Sequence, residues 1–215
     1  MTNIGKFAEL LLLLIVLTDF AVLGSSRLSA CIRAIAIQGV LLGILSLVID
    51  DPRSVHAMAL AAGTVAIKGI VLPFFLRWAM REAAVRREVE PAIGYMASLC
   101  LGSLAVGASF ALANRLPVIT TVDLLVPIAF ATLIIGLLVL VTRSKAITQV
   151  VGYLILENGV YLFGLTQLSR VPFLVEIGVL LDVFVAVFVM GIVVFHVNRE
   201  FDSISAANLV ELRES

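Results

Sequence analysis

Three charged side chains stand inside long apolar runs of this chain. They are Lys68, Glu157 and Asp182, and each lies about midway along its run. A charged side chain at the centre of a bilayer costs roughly 2.5–3.5 kcal/mol even on the more lenient insertion scale. We therefore expect the three side chains to face one another, water or a protein partner.

One amino group and two carboxyl groups are suited to a proton relay. If all three are ionised, they carry one excess negative charge, which a single mobile proton would neutralise. Burial disfavours the charged form of both kinds of group, so gaining or losing a proton there costs little. The sequence thus favours a relay formed by Lys68, Glu157 and Asp182. A permanent ion pair that locks the helices together is the alternative.

Four further candidate residues lie nearer the ends of apolar runs. They are Asp19, Arg33, Glu176 and His196. Long side chains at such positions can reach the membrane interface, so these residues have either a relay or a structural role. His196 could also admit protons from the cytoplasm, since histidine changes charge near neutral pH.

The composition requires a lipid environment. Of 215 residues, 61% are hydrophobic and only 14% are charged, whereas soluble domains contain about 25% charged residues. In lipid, backbone amides must be satisfied internally, and apolar runs of about 20 residues without alternation indicate helices. The zero net charge gives no reason to expect a nucleic-acid surface. No motif for a cofactor, a metal or a catalytic centre is present.

These runs predict an all-α polytopic membrane protein with about seven transmembrane helices. The whole of 1–215 forms one transmembrane domain, with helices 1–4 at about 4–113, helices 5–7 at about 122–197 and a short cytoplasmic tail at 198–215. The predicted spans are 4–24, 28–49, 55–79, 91–113, 122–142, 147–168 and 172–197.

Basic residues predict the orientation. One side carries Arg27, Arg81, Arg86, Arg87, Arg143, Lys145, Arg199 and Arg213, and the other carries Lys6, Arg53, Arg115 and Arg170. Because the side richer in Lys and Arg stays in the cytoplasm, the N-terminus is expected outside and the C-terminus inside. An odd number of spans agrees with this arrangement.

Pro73 predicts a disturbance in the third span. Proline has no amide hydrogen, so the carbonyl of Gly69 loses its helical donor beside Lys68. We expect a kink or a hydrated turn there. Small residues of the fourth span, including Ser98 and Gly102, are spaced by four and predict close helix packing.

Several segments resemble hydrogenase-4 component E, a membrane subunit of energy-converting [NiFe] hydrogenase and formate hydrogenlyase-type complexes. The resemblance extends over essentially the whole chain. Its most specific parts are Glu157-Asn158-Gly159 and Val175-Glu176-Ile177-Gly178, and it includes Asp182 with Phe184, Lys68 followed by Leu72-Pro73, and Arg27-Leu28-Ser29.

The last three predicted spans are also similar to the small three-helix subunit of respiratory complex I and its counterpart in multisubunit Na⁺/H⁺ antiporters. That subunit carries two buried glutamates on successive helices. Glu157 matches the first, and Asp182, a shorter acid, falls where the second would be. Lys68 lies in the first four spans, which have no counterpart in that subunit.

The resemblance implies a cofactor-free proton-translocation subunit in the cytoplasmic membrane of a bacterium or archaeon. Its partners would be antiporter-like membrane subunits and a peripheral hydrogenase and iron–sulfur module. Two alternatives stay open: a structural scaffold that seats the antiporter-like subunits, and a subunit of a cation/proton antiporter or of a redox complex other than a hydrogenase.

Overall fold

The computed structural model of this chain describes residues 3–49, 55–82, 93–116, 122–143 and 146–166, and a few positions between 184 and 191. Within these ranges the chain is helical and contains no β-strand. The predicted all-α class is therefore confirmed. The predicted seventh span lies almost entirely outside the described residues.

The observed helices follow the predicted spans closely. The second span is confirmed at both ends. The other observed ends lie within four residues of the predicted ones. The largest difference is at Tyr95, where an extended Gly94 precedes the helix. The helices are α1 Asn3–Leu23, α2 Leu28–Ile49, α3 Val55–Thr64, α4 Leu72–Glu82, α5 Tyr95–Ala113, α6 Leu125–Thr142 and α7 Ala146–Thr166.

A π-helical segment, Val65–Val71, lies between α3 and α4. The amide of Leu72 donates to the carbonyl of Ile67, five residues back, where an α-helix would use the carbonyl four residues back. Pro73 has no amide hydrogen to donate at the next position. The predicted third span is therefore one continuous stretch with a widened turn around Lys68.

Four helical stretches of the described chain are long and apolar enough to cross a membrane, which makes this a membrane protein. They are Leu28–Ile49, Ala57–Arg81, Tyr95–Ala113 and Leu125–Thr142. The third of them contains the π-helical segment. The full count of seven spans and the sidedness of the two ends stay predictions.

α2 lies at the centre of the described bundle. It packs against α1, α3, the π-helical segment, α4 and α7, while α6 and α7 form an extensive antiparallel pair. At the end of α6, Arg143 donates from Nη2 to the carbonyl of Leu23, 3.2 Å away, and lies 5.9 Å from the ring centroid of Tyr95. This arginine joins the end of α1 to the beginning of α5.

Glycines set the spacing between the packed helices. Along the seam between α6 and α7, Gly136 faces Leu156, Gly152 faces Leu140 and Gly159 faces Leu133. A β-carbon on Gly159 would lie 2.5 Å from the backbone nitrogen of Leu133. Side chains at these positions would force the helix backbones apart, as expected where small residues allow close packing of membrane helices.

Two apolar clusters fill the bundle, one in each half. The first includes Val22 of α1, Ile35 of α2, Ile135 of α6 and Ile155 of α7. The second includes Ile15, Leu42, Ala129 and Tyr161 of the same four helices.

Between the two clusters, each of these four helices contributes buried polar side chains. They are Asp19, Gln38, Thr132, Glu157 and Asn158. Together with Lys68, we call these residues the polar layer. The layer lies near the middle of α2, α6 and α7.

We predict that Gly159→Ala destabilises the bundle, because Leu133 presents backbone and cannot move aside as a flexible side chain could. Overpacking of this kind costs about 1–3 kcal/mol. The matched control is Gly107→Ala on α5, where nothing lies within 4 Å of the added β-carbon. Thermal unfolding of the purified protein in detergent should show a lower midpoint for Gly159→Ala alone. Equal midpoints for both variants would contradict this account of the seam.

Candidate functional site

Lys68 and Glu157 form a direct ion pair in the polar layer. The Lys68 ammonium donates to Glu157 Oε1 over 2.6 Å, and the two side chains are only 4% and 1% exposed. They come from residues 89 positions apart, on the π-helical segment and α7. Two ions removed from water are stable only when good geometry offsets the loss of hydration. This pair provides such compensation.

The position of Lys68 depends on a close contact between backbones. A β-carbon on Gly39 of α2 would lie 2.6 Å from the carbonyl carbon of Lys68. The absence of a side chain at Gly39 therefore lets the π-helical segment rest directly on α2. π-helical turns inside longer helices are often found at functional sites.

Asp19 is held by neutral donors in the same layer. It is fully buried, and its two carboxyl oxygens accept hydrogen bonds from Gln38 Nε2 at 2.7 Å and from Thr132 Oγ1 at 2.8 Å. Gln38 Oε1 in turn accepts from Asn158 Nδ2 at 2.8 Å. An unbroken hydrogen-bonded chain thus crosses from α1 through α2 to α7. It ends on the residue next to Glu157.

A hydroxyl pair lies one helical turn from the ion pair. Thr64 Oγ1 and the hydroxyl oxygen of Tyr161 are 3.0 Å apart, with either group able to donate. Thr64 precedes Lys68 by four residues, and Tyr161 follows Glu157 by four. The Lys68 ammonium also lies 5.8 Å from the centroid of the Tyr161 ring, within range of a cation–π interaction. Polar groups therefore continue beyond the pair on both helices.

The structure brings some of the candidate residues together and leaves others apart. Lys68 and Glu157 are in contact, and Asp19, roughly one turn before the end of α1, is buried inside the bundle. The side chain of Arg33 is exposed on α2. The remaining candidates, Asp182, Glu176 and His196, lie outside the described residues. The relay role of each residue stays a prediction.

Sequence reasoning missed the neutral members of the polar layer. Gln38, Thr132 and Asn158 are each at most 2% exposed, and all take part in the hydrogen bonds of the polar layer. A signal was present, because Gln38 is an amide in the middle of an apolar helix and Asn158 directly follows Glu157. Neutral polar residues are tolerated in membrane helices at modest cost, so their positions alone did not identify them.

The charges of the site leave room for one proton. Lys68 and Glu157 balance each other, and an ionised Asp19 adds one negative charge to the polar layer. Within the described ranges, no group of three or more His, Cys, Asp and Glu side chains could hold a metal ion. Buried ionisable side chains of this kind can bind and release protons.

Comparison with known proteins identifies two kinds of relative. The chain is 32% identical over 209 residues to the uncharacterized protein Rv0085 of Mycobacterium tuberculosis, and the match covers 93% of each chain. It is 31% identical over 99 residues to Hydrogenase-4 component E of Escherichia coli, and this match covers 46% of each chain. The second match supports a distant relationship. It covers less of the chain than the resemblance seen in the sequence, which extends over essentially the whole chain.

A match of the same extent and identity is found with Hydrogenase-4 component E of Shigella flexneri. No family model and no solved structure matches the chain.

We predict that Lys68→Met lowers the stability of the bundle by about 3–5 kcal/mol, because it leaves Glu157 buried without its cation. The double variant Lys68→Met/Glu157→Leu should recover most of this loss, since it removes both charges. Unfolding measured in mixed micelles for the wild type, both single variants and the double variant gives the coupling between the two residues. Purely additive effects would contradict a direct ion pair.

Proposed function

The chain belongs to the same family as the uncharacterized protein Rv0085 of Mycobacterium tuberculosis, and we propose that it is a cofactor-free membrane subunit of a hydrogenase-type complex that contributes a proton relay. The partial match to Hydrogenase-4 component E supports membership of such a complex. Its partners in our proposal are antiporter-like membrane subunits and a peripheral hydrogenase and iron–sulfur module. The complex would reside in the cytoplasmic membrane of a bacterium or archaeon.

The buried ion pair of Lys68 and Glu157 carries the proposal. Ionisable residues within membrane helices are costly and are functional candidates by default. A pair of well-packed apolar side chains would hold two helices together at least as well, so stability alone is a weak reason for burying two charges. A relay supplies a reason, because it requires groups whose charge can change.

In the proposed mechanism, redox chemistry in the peripheral module perturbs the charges along the membrane. When Glu157 takes up a proton, it loses most of its attraction for the Lys68 ammonium. Lys68 then turns toward a second carboxylate, which we assign to Asp182. The return of Lys68 to Glu157 expels the proton, so a change of pairing moves one proton per cycle.

The π-helical segment supports this mobility. Lys68 lies in a widened turn, in which the amide of Leu72 donates to the carbonyl five residues back. Pro73 has no amide hydrogen and interrupts the helical hydrogen bonds just beyond this turn. A turn whose regular hydrogen bonds are interrupted is held less firmly than a regular α-helical turn. Lysine is also a flexible cation whose protonation responds readily to burial. Both properties favour a residue that changes partner during the cycle.

A scaffold that seats the antiporter-like subunits is the second candidate. The direct 2.6 Å contact between Lys68 and Glu157 is the observation that favours it, because a permanent lock would have the same geometry. The two functions differ in whether the ability of Glu157 to titrate matters to the complex.

We also propose seven spans, with the N-terminus outside the cytoplasm and the C-terminus inside. The excess of Lys and Arg on one side supports this orientation. Arg143 on the basic side lies against the ends of α1 and α5, which are expected at the same face of the membrane.

The topology predicts opposite accessibility of the two ends. In a background where Cys31 and Cys100 are replaced by serine, Thr2→Cys should react with a membrane-impermeant thiol reagent applied to spheroplasts. Glu214→Cys should react only after the membrane is permeabilised. Reaction of both positions from the same side would contradict an odd number of spans.

The relay predicts that Glu157→Gln abolishes proton uptake into sealed vesicles that contain the whole complex. Glutamine keeps the size of the side chain and its oxygen acceptor for Lys68 but has no titratable proton. Redox turnover serves as the internal control. The matched control variant is Lys6→Gln, which removes an exposed charge near the start of the chain. Unchanged uptake per turnover in an assembled Glu157→Gln complex would establish the scaffold.

A further inference from the structure

We propose that Asp19 is a second proton-binding group of this subunit, and that the Gln38–Asn158 amide bridge couples its charge to the pair of Lys68 and Glu157. This inference rests on the proposed function. It assigns roles to three residues on three helices, α1, α2 and α7, whose hydrogen bonds form one continuous chain.

The surroundings of Asp19 differ from those of Glu157. Asp19 is fully buried, and the partners of its two oxygens are a neutral amide and a neutral hydroxyl, from Gln38 and Thr132. Among the described residues of α2, α5 and α6, which pack against α1, no charged side chain forms an ion pair with Asp19. A buried carboxylate without a cation is a group whose charge a proton readily cancels.

The hydrogen bonds have a defined direction. Asn158 donates to Gln38, and Gln38 donates to Asp19, so every donor points toward the carboxyl group. An ionised carboxylate is an acceptor only, and this direction suits it. When Asp19 takes up a proton, its O–H requires an acceptor, which the Thr132 hydroxyl or a rotated Gln38 amide supplies.

The amides transmit this change without carrying a proton themselves. Each amide has a donor at one end and an acceptor at the other, so rotation of Gln38 obliges Asn158 to rotate as well. Asn158 directly follows Glu157 on α7, and Gln38 directly precedes Gly39, on which the backbone of Lys68 rests. Both ends of the ion pair thus adjoin residues whose hydrogen bonds depend on the charge of Asp19.

The first test compares Asp19→Asn with Glu157→Gln in sealed vesicles of the whole complex. Asparagine at position 19 can accept from Gln38 and donate to Thr132, so it preserves both contacts and removes the carboxyl group that can change its charge. We expect an assembled complex with redox turnover and a loss of proton uptake. If Glu157→Gln abolishes uptake and Asp19→Asn leaves it at the wild-type level, this inference fails and the proposed function stands. If Glu157→Gln itself leaves uptake intact, the proposed function fails.

The second test measures the coupling by infrared difference spectroscopy of the same complex. The carboxylic-acid band that Asp19→Asn removes belongs to Asp19. We expect Glu157→Gln to shift this band while the bridge is intact, and to leave it unshifted when Asn158→Leu has broken the bridge. A merely structural role for Asn158 would not transmit such a shift. An equal shift with and without the bridge would overturn the coupling.

Thr132→Val provides a milder variant should Asp19→Asn fail to assemble. It removes one donor from Asp19, leaves the amide bridge in place and changes no charge. We expect it to move the Asp19 band, because the hydrogen bonding of the carboxyl group changes. If no carboxylic-acid band of the redox difference spectrum responds to Thr132→Val, the assignment of a proton to Asp19 is overturned.

Discussion

The buried contact between Lys68 and Glu157 constrains how the helices of this bundle can pack. Neither charge is stable alone inside a bundle surrounded by lipid, and together they need a short, well-aligned contact to offset lost hydration. The contact requires α7 and the π-helical segment to meet at the depth of the polar layer. Glycines permit this approach: Gly159 lets α7 lie against α6, and Gly39 lets Lys68 lie against α2. The apolar clusters on either side hold the layer away from the ends of the bundle.

The same constraint explains why the site is more than a pair. Asp19 adds a charge that no described cation balances. Neutral side chains of two neighbouring helices, Thr132 on α6 and Gln38 on α2, donate hydrogen bonds to it. The layer therefore combines a balanced pair with an unbalanced acid, joined through Asn158. A purely structural lock has no need of the third charge. A relay does, because the proton that the return of Lys68 expels from Glu157 must pass to a second group that can bind it.

Much of this could be predicted from the sequence, for identifiable reasons. Lys68 and Glu157 were identified because charges are rare in long apolar runs, and the spans were found because lipid demands helices of about 20 residues. Pro73 predicted a disturbance, but a missing amide hydrogen does not determine its form, a hydrogen bond from the Leu72 amide to the carbonyl five residues back. The partners of Asp19 were missed, because the pairing of Gln38 with residues 19 and 120 positions away is set by the register of helices in three dimensions.

We propose that the ion pair changes its state during turnover, and exchanging its two charges tests this proposal. In the variant Lys68→Glu/Glu157→Lys the pair is still balanced, so a permanent lock would be restored. A relay would not, because the lysine would leave the π-helical segment and the acid would leave its place beside Asn158. Our account predicts that the exchanged complex assembles and turns over but takes up no protons into sealed vesicles. Proton uptake per turnover at the wild-type level would contradict it.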